Sequence, residues 1–211
     1  MMELQLGGTK MEYALSLPPF QMKDFLDMNP EEAKQFFDWY ISEIPNRMHM
    51  LYEVANHQVE LDYTRGSLMP LFQWYLDQIE LHELSESDIA LILDSIRDVS
   101  DTIFDEEKEL LLENPYEVSA DNIDLAMDIA IYYAQTIIHH FPEVKWTYFT
   151  SPSNHADLNE PVLYYKFGEI EYLRNPRQLL LVLLEDIKDQ SIEETTLMEI
   201  FDIDSKVIEN I

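Results

Sequence analysis

The 211-residue chain contains no cysteine and only four glycines. The absence of cysteine excludes disulfide bonds, thiolate nucleophiles and cysteine-ligated metals. The glycines, at positions 7, 8, 66 and 168, cannot form a GxGxxG or Walker-type loop, which excludes nucleotide binding through either motif.

Long apolar runs and an export leader are also missing. The longest aliphatic run, LLLVLL at residues 179–184, is far shorter than the roughly 20 residues that cross a bilayer. The N-terminal residues do not form a basic, apolar and cleavable leader. We predict no transmembrane segment and a cytoplasmic location.

Basic residues are scarce, because 13 Lys and Arg stand against 42 Asp and Glu, a net charge of −29. Such a chain is repelled by nucleic acid and by anionic lipid, so we expect neither as a partner. About half of the excess lies in residues 77–128, which carry 17 acids against Arg97 and Lys108, a net charge of −15. The regular aliphatic pattern of this stretch argues against disorder.

The pattern of apolar residues predicts strands at the start of the chain, then helices, then strands. Alternation around Gly7 and Gly8 predicts a hairpin over residues 3–17. Asn29, Pro30 and Glu32 predict a helix that begins near residue 30 and ends close to Pro45. Further helices are predicted over residues 45–58, 67–81, 86–114 as one long amphipathic helix, and 121–141.

Beyond Pro142 the pattern changes to short segments. KWTYFT, PVLYYKF and EIEYL predict three strands, Asn175 and Pro176 start another helix, and residues 191–211 can hold a short acidic one. Segregated helices and strands predict an α+β fold, predominantly helical, with the N-terminal hairpin and a small antiparallel sheet in the C-terminal third. We predict one domain over residues 1–211, with a helical subregion at about 29–141 and a strand-containing subregion at about 142–190 plus the hairpin. The sequence leaves open whether the hairpin joins the later strands.

Four aspartates in the predicted long helix carry the first candidate site. At about 100° per residue they fall on one narrow stripe opposite the aliphatic face. The four are Asp94, Asp98, Asp101 and Asp105. Like charges at these spacings destabilise a helix slightly, so helix formation does not explain the stripe. It is either a solvated face or a docking surface for a basic protein partner.

Two tryptophans carry the second candidate site. The segments FFDWYISEI at 36–44 and LFQWYLDQI at 71–79 share an apolar helical face, and Trp39 and Trp74 lie beside that face in both. Such indoles either seal a core or anchor a ligand or partner. A spacing of 35 residues resembles that of tetratricopeptide arrays, but no third copy follows.

Catalytic and metal-binding motifs are absent. The six histidines include no HExxH pair, and the loop SPSNHADLNE at 151–160 is more typical of a polar connection than of a Ser-His-Asp triad. We predict no catalytic residue, no cofactor and no metal ligand.

Residues 121–184, about a third of the chain, resemble a known kind of protein. Their segments HHFPEVKW, NEPVLYYKFG and NPRQLLLVLL resemble a pattern in small acidic cytoplasmic proteins of Gram-positive bacteria, some families of which are regarded as immunity proteins of polymorphic toxin systems. The matching residues are Trp146, Asn159, Pro161, Val162, Leu163, Asn175 and Pro176. The resemblance implies a protein that binds and neutralises a toxin, and it assigns no catalytic residue.

Three functional interpretations follow. The leading one is a non-enzymatic, acidic protein-binding protein, in its specific form an immunity-type inhibitor of a basic toxin. The second is a small-molecule-binding domain or enzyme with a pocket between helices and sheet, formed by Trp39, Trp74, His139, His140 or His155. The third is a structural subunit of a homo-oligomer.

Overall fold

A computed structural model describes residue 13 and residues 16–55, 58–97, 100–189 and 191–211. The predicted hairpin over residues 3–17 lies almost wholly outside these ranges. Its described positions, Tyr13, Ser16 and Leu17, do not form a strand.

The described residues form seven α-helices, five strands and a short 3₁₀ helix at Phe25–Asp27. The helices are α1 (Pro30–Val54), α2 (Arg65–Leu76), α3 (Glu86–Ser95), α4 (Asp101–Glu113), α5 (Ala120–His140), α6 (Pro176–Lys188) and α7 (Thr196–Glu209). The strands are β1 (Leu81–Glu83), β2 (Tyr116–Val118), β3 (Lys145–Thr147), β4 (Val162–Phe167) and β5 (Ile170–Arg174). This arrangement confirms the predicted α+β class.

Helix α1 begins as predicted but continues through Pro45. Its start is a capping box, in which the Asn29 side chain accepts from the backbone N–H of Glu32 and the Glu32 carboxylate accepts from that of Asn29. The predicted end close to Pro45 is wrong. A proline removes one helical hydrogen bond, but the turns on either side bury Ile44 and Leu51 against the core, and this packing outweighs the local preference.

The predicted long helix over residues 86–114 is two helices. Helix α3 ends at Ser95, and Ser100 has an extended backbone (φ −61°, ψ 147°) before α4 begins at Asp101. None of the described residues of α3 and α4 is buried. Packing against the core therefore does not force these two segments into one continuous helix. Helical periodicity predicted the helical state correctly but could not locate the break.

The strands form two small antiparallel sheets. The three predicted strands pair in the order β3-β4-β5, and Gly168 lies between β4 and β5 with φ +64°, a conformation that glycine adopts without strain. The sequence did not predict β1 and β2, which pair with Leu81 opposite Val118 and Glu83 opposite Tyr116. Each is only three residues long and buries little, so neither leaves a clear alternating pattern.

Helix α5 lies at the centre of the main hydrophobic core. It is buried over most of its length and packs against α1, α2 and α6, while α7 covers α2. A smaller cluster of Met28, Ala33 and Phe36 packs where the 3₁₀ helix meets the start of α1. Within the described ranges, no helix is long and apolar enough to cross a membrane.

Candidate functional site

Helices α3 and α4 form an arm that projects from the core, which we call the acidic arm (residues 84–115). Strands β1 and β2 pair at its base, and the backbone N–H of Leu84 donates to the carbonyl of Pro115 at 2.8 Å. The arm contains ten acidic residues against Arg97 and Lys108, a net charge of −8. The two helices pack mainly against one another, so most of this charge faces solvent.

The first turn of the arm is defined by its own sequence. Ser85 and Asp88 form a capping box, in which the Asp88 carboxylate accepts from the backbone N–H of Ser85 at 3.1 Å. The Ser85 hydroxyl also donates to this carboxylate at 2.5 Å. These hydrogen bonds from Ser85 lower the pKa of Asp88, so its negative charge is held at the helix N-terminus. Helix α3 therefore begins at a defined residue, three positions after β1 ends.

Large aliphatic side chains lie exposed among these acids. The exposed fractions are 69% for Leu91, 49% for Ile103, 62% for Leu110 and 54% for Leu112. Isolated exposed leucines are common on protein surfaces, but here four large side chains lie on two adjoining helices with no buried residue among those described. The acidic arm thus combines unburied apolar surface with negative charge.

Asp94 and Asp105 lie on different helices, so the predicted stripe does not lie on a single helix. Asp94 is on α3, where its carboxylate lies 3.3 Å from the guanidinium of Arg97, and Asp105 is exposed on α4. Asp101 begins α4, and Asp98 lies outside the described residues. The prediction placed all four aspartates on one helix, and it was wrong because the helix is interrupted between Asp94 and Asp101. Partner binding by these residues stays a prediction.

The base of the arm is fixed to the core through two asparagines. The Asn114 side chain donates to Asp189 Oδ1 at 2.9 Å, just after α6 ends. The Asn122 side chain accepts from the backbone N–H of Glu80 at 2.9 Å and donates to the carbonyl of Gln78 at 2.9 Å. The strands therefore leave the core in a defined direction.

The two tryptophans have different surroundings. Trp74 is buried in the main core. Trp39 is half-buried, with ring centroids 5.5 Å from Phe36 and 6.4 Å from Phe20. The sequence repeat therefore does not correspond to a repeated surface, because only Trp39 lies at the edge of a pocket.

Among the histidines named as pocket candidates, the chain neighbours His139 and His140 have ring centroids 5.9 Å apart. His140 bonds to the carbonyl of Thr136 through Nδ1 at 2.9 Å, and His155 stacks on Phe149 with centroids 4.7 Å apart. His155 Nδ1 accepts from the backbone N–H of Asp157, so these loop residues organise the loop itself. In the described part of the chain, no group of three or more metal-ligating side chains is close enough to hold an ion.

A pocket lies between residues 16–25 and helices α1 and α5, and we call it the aromatic pocket. Its volume is about 230 Å³. The side chains that define its walls are Phe25, Phe36, Trp39, Tyr40, Met127 and Ile131. This differs from the predicted location between helices and sheet, and of the five predicted pocket residues only Trp39 lines it.

The floor of the aromatic pocket contains a buried ion pair. Arg47 Nε donates to Asp128 Oδ1 at 2.5 Å, and the Tyr13 hydroxyl donates to Asp128 Oδ2. Asp128 is 0% exposed, and burial raises the pKa of its carboxyl, whereas the guanidinium of Arg47 stabilises the ionised form. Burial likewise lowers the pKa of Arg47. The sequence did not predict this site, and the one signal that pointed toward its floor is Asp128, a charged residue within the buried length of α5.

Comparison of the chain with protein-family models, with curated proteins and with solved structures gives no match. Inference about function therefore rests on the acidic arm and the aromatic pocket.

Proposed function

We propose that this protein binds a basic protein partner through the acidic arm and catalyses no reaction. The observation that carries the proposal is the exposure of four large aliphatic side chains among ten acidic residues, on helices whose described residues are all unburied. The partner that fits such a surface has apolar side chains surrounded by Lys and Arg. In its specific form the proposal is an immunity-type inhibitor of a basic toxin.

The magnitudes favour a combined apolar and electrostatic interface. Moving a fully exposed leucine or isoleucine into an interface contributes about 1.5–3 kcal/mol, so four side chains that are 49–69% exposed contribute roughly 3.5–7 kcal/mol. Association costs about 4–15 kcal/mol in lost translational and rotational freedom. Apolar burial therefore only approaches the cost of association, and charge complementarity has to supply specificity and a faster association rate.

The competing homo-oligomer interpretation is opposed by the same charges. Pairing two acidic arms would bring together two surfaces that each carry −8, and this repulsion is screened only at high ionic strength. We expect light scattering to give the mass of one chain at low salt. A stable dimer that dissociates when the arm is altered would favour the homo-oligomer instead.

The direct test uses a defined basic probe, a synthetic amphipathic helix of lysine and leucine. Asp94→Lys with Asp105→Lys should weaken binding about tenfold, since it removes negative charge at the surface that we propose for the partner. Wild-type binding should weaken as NaCl rises from about 50 mM to about 300 mM. Titration calorimetry measures both effects.

Two further variants distinguish the effect of the acidic arm from the effect of the net charge of the molecule. Glu169→Lys with Glu209→Lys makes the same change in net charge at exposed positions outside the arm and should change affinity less than about threefold. Leu91→Ser with Leu110→Ser keeps the charge and should weaken binding about tenfold. Equal effects of the two lysine pairs would reject a localised site. Affinity capture from a cell lysate, with the wild-type protein and with the leucine variant, then identifies the natural partner as the protein that only the wild type retains.

A further inference from the structure

We infer that the aromatic pocket is a binding site for an uncharged aromatic small molecule of one or two rings. This inference is independent of the acidic arm. An apolar cavity of about 150 Å³ inside a protein is known to hold benzene. The pocket volume of about 230 Å³ therefore leaves room for a larger aromatic molecule.

The walls of the pocket favour an aromatic ligand. Phe25 and Phe36 meet edge to face with centroids 5.1 Å apart, and Phe36 lies 5.5 Å from Trp39 and 6.0 Å from Tyr40. Aromatic rings attract one another most strongly in edge-to-face and offset-stacked arrangements. A flat ring placed among these four side chains can adopt both arrangements.

The charges around the pocket favour an uncharged ligand over an anionic one. The pocket is lined by two guanidinium groups and two carboxylates, and Glu160 beside Arg177 adds a third carboxylate, so there is no excess of positive charge. Arg47 is paired with Asp128, and the guanidinium of Arg177 lies 3.0 Å from the carboxylate of Glu160. The fourth group, Glu43, accepts a hydrogen bond from the Ser16 hydroxyl at 2.7 Å. An anionic ligand would lose its hydration without meeting an excess of positive charge.

Residues 16–25 cover the pocket on its outer side and are held at both ends. At one end Ser16 bonds to Glu43, and at the other the Asn159 side chain donates to the carbonyls of Phe25 at 2.6 Å and Met28 at 3.1 Å. Between these points the backbone forms no helix or strand until the 3₁₀ helix at Phe25. Between its ends the cover is also held by the ion pair of Lys23 with Glu32 at 2.6 Å and by the edge-to-face contact of Phe20 with Trp39, so few contacts oppose its displacement by an entering ligand.

The experiment titrates the full-length protein with 2-naphthol, which is uncharged at neutral pH, and with 2-naphthalenesulfonate, which has the same rings and a negative charge. Calorimetry should show saturable one-to-one binding of 2-naphthol, and binding of the sulfonate at least about tenfold weaker. Binding of both probes with equal affinity, or of neither, would overturn the inference.

Three variants test whether 2-naphthol binds in the aromatic pocket. Met127→Trp fills the pocket, and Trp39→Leu removes one aromatic wall, so each should weaken 2-naphthol binding about tenfold. Trp74→Phe changes a tryptophan in the main core and should leave the affinity unaltered. Circular dichroism checks that each variant is folded, and Trp39→Leu, at a half-buried position, decides the question should Met127→Trp fail to fold. Affinity that is the same in wild type and Trp39→Leu would contradict binding in this pocket.

Discussion

The carboxylate of Asp204 joins three elements of the fold. It accepts hydrogen bonds from the hydroxyls of Tyr133 at 2.7 Å and Tyr172 at 2.9 Å, and it forms two hydrogen bonds with the guanidinium of Arg174. Asp204 is buried on α7, while its partners lie on α5 and β5. A single side chain therefore connects the C-terminal helix to the central helix and to the sheet.

We expect Asp204→Asn to destabilise the fold by about 2–3 kcal/mol, because Arg174 keeps its charge and loses the compensating carboxylate. The partial exposure of Arg174 keeps the effect below that of a fully buried pair. Urea denaturation followed by circular dichroism measures the free energy of unfolding.

Asp202→Asn is the matched control on the same helix. Its carboxylate pairs with Arg65 at 2.5 Å, but both side chains are more than one-third exposed, so the loss should stay below about 1 kcal/mol. Equal destabilisation by the two variants would show that burial does not set the strength of the Asp204 cluster.

At the scale of elements, the apolar sequence pattern correctly predicted the helices that are buried in the core. Helix α5 follows its apolar sequence because most of its residues are buried, and the start of α6 follows Asn175, whose side chain accepts from the backbone N–H of Gln178. The break between α3 and α4 has no such determinant, because no described residue there is buried. The aromatic pocket was beyond sequence reasoning, since its walls combine residues 16–25 with α1 and α5, which are distant in the chain.

Helix α1 carries an internal proline whose removal should stabilise it. Pro45→Ala restores one backbone donor and removes a steric conflict with the preceding turn, so we expect a gain of about 1 kcal/mol, partly offset by greater freedom of the unfolded chain. Thermal denaturation measures the change as a higher melting temperature.

Pro30→Ala provides the comparison, because Pro30 occupies the first position of α1, where proline is favoured. It should leave the melting temperature unchanged or lower it slightly. A lower melting temperature for Pro45→Ala would mean that the backbone geometry imposed by Pro45 is needed for the packing of Ile44 and Leu51.

For the whole molecule, burial of tyrosines links stability to alkaline pH. Burial raises the pKa of Tyr75, Tyr133 and Tyr172 above the ordinary value of about 10. The folded state therefore binds these phenolic protons more tightly than the unfolded state. Their contribution to stability is complete below about pH 10 and is lost as the pH rises toward the folded-state pKa values.

We expect a spectrophotometric titration to show these tyrosines ionising together with unfolding, in one cooperative step above about pH 10. Circular dichroism recorded on the same samples should change over the same pH range. Ionisation of all twelve tyrosines before any loss of helical signal would contradict the prediction.

The paired strands at the base of the acidic arm have a consequence for how this molecule can change. The chain leaves and re-enters the core at two neighbouring points, Glu83 and Tyr116, which face each other across the ribbon. Helices α3 and α4 beyond that ribbon bury none of their described residues, so their sequence can change with little effect on the path of the chain through the core. The surface that we propose for recognition and the core thus occupy separate stretches of the sequence, and the arm can diverge while the core remains under its own selection for stability.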